Sequence, residues 1–168
     1  ELWRRTRDEI YEQIMRDGWS RTRGAFVQHY GGDALDAANL IMPLVFFISP
    51  NDPRMESTIR ALNRPLYEGG LVTDYLVHRY DTSLADDGLG FQPEGPFNIC
   101  TFWLIEALTR AGRMNPEAVA QARLLFDRML RCASPLGLYA EQTAPGGMAL
   151  GNHPQGLTHL AFISAAFN

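Results

Sequence analysis

The chain has 168 residues, 46% of them hydrophobic, which suits one domain with a sizeable buried core. Its fifteen positive charges are all arginine and are outnumbered by nineteen carboxylates, leaving a net charge of −4 that argues against a phosphate backbone as partner. The longest apolar block, Leu40 to Ile48, falls well short of the roughly 18 residues of a membrane span and contains Pro43; Cys100 and Cys132 alone make neither a disulfide framework nor a zinc knuckle.

The chain opens at Glu1 inside a helical pattern, without a basic-then-apolar leader, which reads as a processed chain or a piece of something longer. Leu2, Trp3, Ile10, Ile14 and Met15 recur near the helical period and predict an amphipathic helix over 1–17, ended by Asp17-Gly18. Residues 23–32 read as a short extended excursion bounded by glycines. A second helix is predicted over 34–47, apolar almost all round and therefore buried, with Pro43 bending it or removing one hydrogen bond. Asn51-Asp52-Pro53 is a cap-plus-proline start for a third helix, which presents Met55, Ile59 and Leu62 on one face and stops before Pro65. Leu71 to Tyr80 alternates loosely, as a short strand or an extended loop.

Residues 81–95 form a long loop rich in Asp, Gly and Pro, a usual place for binding groups. A very apolar fourth helix is predicted over 96–111 and closed by Gly112. Asn115-Pro116 starts a fifth, running to about Cys132; a second long loop spans 133–154; a last apolar helix covers 155–167. Buried helices alternate with amphipathic ones across these six, which predicts an all-α fold of concentric helix layers.

Three loop stretches are dense in groups that suit sugars: His78 to Asp81, Asp86 to Phe97, and Tyr139 to Gln142 with Gly151 to Gln155 close behind. Carboxylates and arginine grip hydroxyls, aromatic faces stack on rings, and glycoside hydrolysis needs two carboxyl groups flanking the bond. Solvated acidic loops have the same composition, so these residues alone leave both readings open.

The run Gly31-Gly-Asp-Ala-Leu-Asp-Ala-Ala-Asn-Leu, then Arg79-Tyr80, Asp87-Gly-Leu-Gly, and Glu94-Gly-Pro-Phe-Asn through Ile105-Glu-Ala-Leu resembles glycoside hydrolase family 15. So does the ending Gly137-Leu-Tyr-Ala-Glu-Gln through Gly151-Asn-His-Pro-Gln-Gly-Leu-Thr-His-Leu-Ala. The order holds over nearly the whole chain. The family comprises glucoamylases, glucodextranases and bacterial trehalases, and the resemblance implies an (α/α)6 barrel with its active site in loops at one end. It also implies an inverting reaction on α-linked glucosides, in which Glu141 holds the place of the general base and takes a proton from the attacking water. Arg79 and Tyr80 match the pair whose arginine holds sugar hydroxyls in the first subsite. Glu94 is either a substrate contact or an acid at a helix start. Gln155 and His153 border the last helix and could face the site. His159, on that helix's apolar face, reads as a core histidine, and Trp103 as core. Asp36 lies in a stretch similar to a sugar-site segment, though a helix N-terminal carboxylate explains it equally.

The family's general acid is a Glu after a Trp, upstream of the region resembling residues 1–18. Here Trp3, Trp19 and Trp103 precede Arg, Ser and Leu. The family barrel needs about twelve helices and this chain supplies about six, so it is expected to be the C-terminal part of a larger catalytic domain, carrying the base without the acid. Nothing in the sequence places Glu94 or Glu106 across a sugar from Glu141. The isolated chain is therefore expected to be inactive, and to associate with itself or with the missing half through an exposed apolar face. A non-catalytic sugar-sensing domain of the same architecture is the alternative function, and a helical scaffold with incidental acidic loops a third. The expected partner is an α-glucoside or trehalose-type carbohydrate, with no nucleic acid, no membrane, no metal and no cofactor. Without an export signal, the cytoplasm is the expected location.

Overall fold

The computed structural model describes residues 1–84, 94–112 and 114–168. Among the described residues, five α-helices form the frame: α1 (Leu2–Asp17), α2 (Pro53–Leu62), α3 (Asn98–Ala111), α4 (Pro116–Met129) and α5 (Gly156–Phe167). Three antiparallel hairpins of two-residue strands interrupt them: β1 (Trp19–Ser20) with β2 (Ala25–Phe26), β3 (Val72–Thr73) with β4 (Leu76–Val77), and β5 (Gln142–Thr143) with β6 (Ala149–Leu150). The motif Asp87-Gly-Leu-Gly lies outside the described residues.

The cap signals act as their chemistry requires. Asp52 accepts the Arg54 N–H at 2.9 Å with Pro53 in the first turn of α2, and Asn115 accepts the Glu117 N–H at 3.1 Å before Pro116 of α4. The expected helix over 34–47 does not form. A short 3-10 helix, Ala37–Ile41, stands in its place, followed by turns. At its start, Asp36 is extended and pairs with Tyr80, and the Ala37 N–H donates to the Arg79 carbonyl at 2.8 Å, so these residues are held to another loop. At its end, Pro43 has no N–H to continue a ladder and Phe46 turns to φ +60°.

Helix α3 is the central element. Ten of its fourteen residues are buried, and it packs chiefly against α4 and α5 and against the 37–41 segment. Phe102 on α3 meets Tyr139 at 5.4 Å, Phe162 at 5.5 Å and Phe126 at 6.5 Å between ring centroids, joining α3, α4, α5 and the loop before β5 in one aromatic cluster. Helix α4 is amphipathic, burying only Ala118, Ala122, Leu125 and Met129. The 37–41 segment, α3 and α5 thus line up as inner elements, with α2 and α4 backing them. This is part of an (α/α)6 barrel.

The barrel is open. Helix α1 has no buried residue, and Trp3 is 87% exposed. Along α5, Leu157, Leu160, Ile163 and Phe167 point outward together, Phe167 at 89% exposure. Glu106, the acid within α3, is buried and fully engaged. It accepts from Arg110 at 2.6 Å, Ser164 at 2.8 Å and Asn168 at 3.1 Å, tying α3 to the end of α5. It lies eight residues along α3 from Asn98, roughly 12 Å at the helical rise, away from the loops at the N-terminal end of the helix.

The β3–β4 hairpin carries a titratable group. His78 Nε2 lies 2.9 Å from the Thr73 hydroxyl, and burial lowers the His78 pKa below its ordinary 6.5 despite the opposing pull of Asp81. The unfolded chain therefore takes up this proton first on acidification, so the contribution of His78 to stability is complete above about pH 6.5 and is lost as pH falls from there through the lower native value. Melting temperatures measured between pH 7.5 and 5.5 fall on the acid side, and His78→Gln is expected to flatten part of that slope. An unchanged slope in the variant would contradict this.

Candidate active site

At the N-terminal end of α3, extended loop segments bond to one another side by side. Asp36 pairs with Tyr80, the Phe97 N–H donates to the Val77 carbonyl at 3.0 Å, Phe97 pairs with Gln142, and Gln142 pairs with Leu150. Residues 36–37, 77–80, 95–97, 141–143 and 149–152 thereby make a continuous ribbon across the mouth of the inner helices. Its neighbouring segments are spaced at roughly 4.8 Å, and the segments that carry Arg79 and Glu141 lie one on either side of 95–97.

Two fully buried side chains of α3 anchor the ribbon. The Thr101 hydroxyl accepts the Val77 N–H at 3.0 Å, two residues before Arg79. Asn98 donates from Nδ2 to the Ala140 carbonyl at 2.9 Å and accepts from the Thr143 hydroxyl at 2.9 Å, while its backbone N–H donates to the Glu141 carbonyl at 3.0 Å. Asn98 and Thr101 escaped the sequence reading. Their signal is two polar residues on the first turn of a mostly apolar helix, where each buried donor and acceptor requires a partner.

Arg79 is held between two rings, its guanidinium carbon 4.6 Å from the Tyr80 centroid and 5.3 Å from that of Phe97. One terminal nitrogen donates to the Tyr80 hydroxyl at 2.6 Å and to Glu94 at 3.2 and 3.4 Å. Burial opposes the Arg79 charge, but Tyr80, Glu94 and Asp36 outweigh it and raise its pKa. Glu94 is not an acid of the helix start. Helix α3 begins at Asn98, two residues later than expected, because Phe97 is committed to the ribbon. Asp36 caps the 3-10 helix through the Ala38 N–H at 2.8 Å and accepts from Gln28 at 3.1 Å.

Glu141 is half-buried, and its Oε2 accepts from the Asn152 N–H at 3.1 Å and from Asn152 Nδ2 at 2.9 Å. Gln155 sits close by through its backbone, whose N–H donates to the Tyr139 carbonyl at 3.0 Å, while its Oε1 accepts from the Thr158 hydroxyl at 2.5 Å. His159 is a structural histidine, its Nε2 accepting the Tyr139 N–H at 3.0 Å. Trp103 packs against the core, and His153 is exposed. Among the described residues, no three His, Cys, Asp or Glu side chains cluster as metal ligands, and no helix is long and apolar enough to cross a membrane.

Gly151 is forced on this site twice over. Its φ is +69°, and a methyl group there would stand 2.7 Å from Glu141 Oε2 and 3.0 Å from Glu141 Cβ. Gly151→Ala is expected to cost about 1–2 kcal/mol of stability through the left-handed backbone and to displace the carboxylate. A chemical-denaturation curve checks the first effect. An unshifted midpoint would show that the turn relaxes without cost.

Arginine, tyrosine and carboxylates are groups that can grip hydroxyls and move a proton, and the ribbon gathers Arg79, Tyr80, Glu94 and Glu141 on neighbouring segments at one end of α3. The family model for glycosyl hydrolases family 15 matches residues 1–167. The chain is 46% identical over 97% of its length to a trehalase of Mycobacterium tuberculosis and 36% identical over 98% to a trehalase of Thermoplasma volcanium. It spans only 22% and 24% of those two proteins. A solved structure described as a wild-type glycosidase superposes over 95% of the chain with a TM-score of 0.74 at 21% identity, and 42% of that protein is covered. The open barrel with its loop ribbon and the match along the sequence agree, and the chain belongs to glycosyl hydrolases family 15.

Proposed function

We propose that this chain supplies the general-base side of an inverting glycoside hydrolase acting on α-linked glucosides, trehalose-type sugars foremost. Glu141 takes the proton from the attacking water; Arg79, Tyr80 and Glu94 bind hydroxyls of the first sugar; Gln155 lines the same end. The observation that carries this reading is the ribbon, which brings the Arg79 and Glu141 segments to either side of residues 95–97 at one end of α3. The trehalase identity of relatives up to 46% identical favours trehalose over other α-glucosides.

The proton donor to the leaving sugar comes from sequence outside these residues. Glu106 is engaged by Arg110, Ser164 and Asn168, and Glu94 is paired with Arg79. A missing acid removes about 10²–10⁴ in rate, besides the subsites that further helices would build. The apolar faces of α1 and α5 are where those helices, or a second copy of the chain, would pack.

The test is complementation. The chain alone is expected to release no glucose from trehalose, and to run above its monomer mass in dilute solution. Mixed with the preceding part of a related trehalase, it is expected to form a complex that does. Glucose release by the chain alone, or a clean monomer that fails to bind the complementing part, would contradict the proposal.

A further inference from the structure

We propose that Asn152 is a positioning residue that orients Glu141 for proton abstraction, an inference that rests on the reading of Glu141 as the base. Two residues eleven apart are joined by three hydrogen bonds. Two donors of Asn152, its N–H and its Nδ2, converge on the single oxygen Oε2 at 3.1 and 2.9 Å. The Asn152 carbonyl in turn accepts the Glu141 N–H at 2.9 Å. The last torsion of a glutamate is broad, so an untethered carboxylate swings freely about it. Charge-assisted bonds to one oxygen stop that rotation.

The two carboxylate oxygens are therefore not equivalent. Oε2 is anchored, and among the described residues Oε1 accepts no hydrogen bond, so Oε1 is the atom that takes the proton from water. Asn98 and Thr143 hold the main chain around Glu141 but do not touch its head. Gly151 makes the clamp possible, because its left-handed turn aims the next N–H at Oε2 and its bare Cα clears the carboxylate. Asn152 is itself exposed, so packing does not account for its orientation.

The experiment is a double-mutant cycle in the complemented enzyme, read alongside the isolated chain. Asn152→Ala keeps the backbone donor and the fold, and is expected to lower kcat roughly 10- to 100-fold with KM within about twofold. In a Glu141→Ala background it is expected to cost nothing further, since it acts only through that carboxylate. Equal losses in both backgrounds, or a rise in KM with kcat intact, would mean a substrate contact and overturn the inference. Full activity of Asn152→Ala beside an inactive Glu141→Ala would overturn it while leaving the base in place; full activity of Glu141→Ala would sink the base itself. In the ¹⁵N-labelled chain alone, the Asn152 side-chain amide is expected to resonate downfield and to move back in Glu141→Ala. An amide indifferent to that substitution would also overturn the clamp.

Discussion

On the proposed reading, replacing Glu141 by glutamine in the complemented enzyme is expected to lower kcat on trehalose by about 10²–10⁴-fold, the contribution of a positioned general base. Glutamine is nearly isosteric and still accepts the two Asn152 donors on its carbonyl oxygen, so the ribbon around residues 141–143 keeps its pairing with Phe97 and Leu150. What it loses is the capacity to take a proton at neutral pH. KM is therefore expected to stay within a few-fold, because the sugar contacts proposed for Arg79, Tyr80 and Glu94 are left in place. Steady-state kinetics on both proteins separate these effects. A rise in KM at unchanged kcat would make Glu141 a sugar ligand instead of a base.

Phe102→Ala is the substitution expected to cost most in stability. Its ring is 1% exposed and touches Tyr139, Phe162 and, more distantly, Phe126, so truncation opens a cavity shared by four elements. Large-to-small aromatic changes in cores cost about 3–5 kcal/mol. That is a large share of the roughly 5–15 kcal/mol that holds a domain together. Urea unfolding should show the midpoint fall with the slope unchanged, while the exposed Leu136→Ala control stays within about 0.5 kcal/mol of the parent. Tyr139 lies two residues before Glu141, so the same cavity is expected to loosen the Glu141 segment and, on the proposed reading, to reduce activity in the complemented enzyme. A loss under about 1 kcal/mol would mean that the cluster does not hold these elements together.

Local chemistry made part of this legible. Helices α2 and α4 begin where Asp52-Pro53 and Asn115-Pro116 put a side-chain acceptor before a residue with no N–H to satisfy. The apolar run in α3 reads as buried because no face of it is polar enough for water, and buried it is. The stretch 34–47 reads as helix for the same reason, yet its first residues are claimed by the Tyr80 and Arg79 backbone some forty positions away. Composition carries no trace of such a partner. The start of α3 slips by two residues on the same account, since Phe97 bonds to Val77 and pairs with Gln142 before the helix can take it.

The site divides along the same line. Arg79, Tyr80 and Glu141 are legible in the sequence only through the resemblance of their motifs to the family whose model matches residues 1–167. Asn98, Thr101 and Asn152, which hold the loops and the carboxylate, act through bonds spanning from eleven to forty-five residues. Two-residue strands have no periodicity to read. The ribbon they build is visible only once the inner helices bring their ends together.

The most direct test uses Glu141→Ala in the complemented enzyme with α-glucosyl fluoride and azide. Fluoride leaves without much need of an acid, and azide stands in for the activated water: a carbon–nitrogen bond forms at the anomeric carbon as the carbon–fluorine bond breaks. Restored turnover with β-glucosyl azide as product is the expected result, because the proposed mechanism has the attack come from the face that Glu141 serves. No response to azide, or an azide product of α configuration, would contradict the assignment of Glu141 as base of an inverting site.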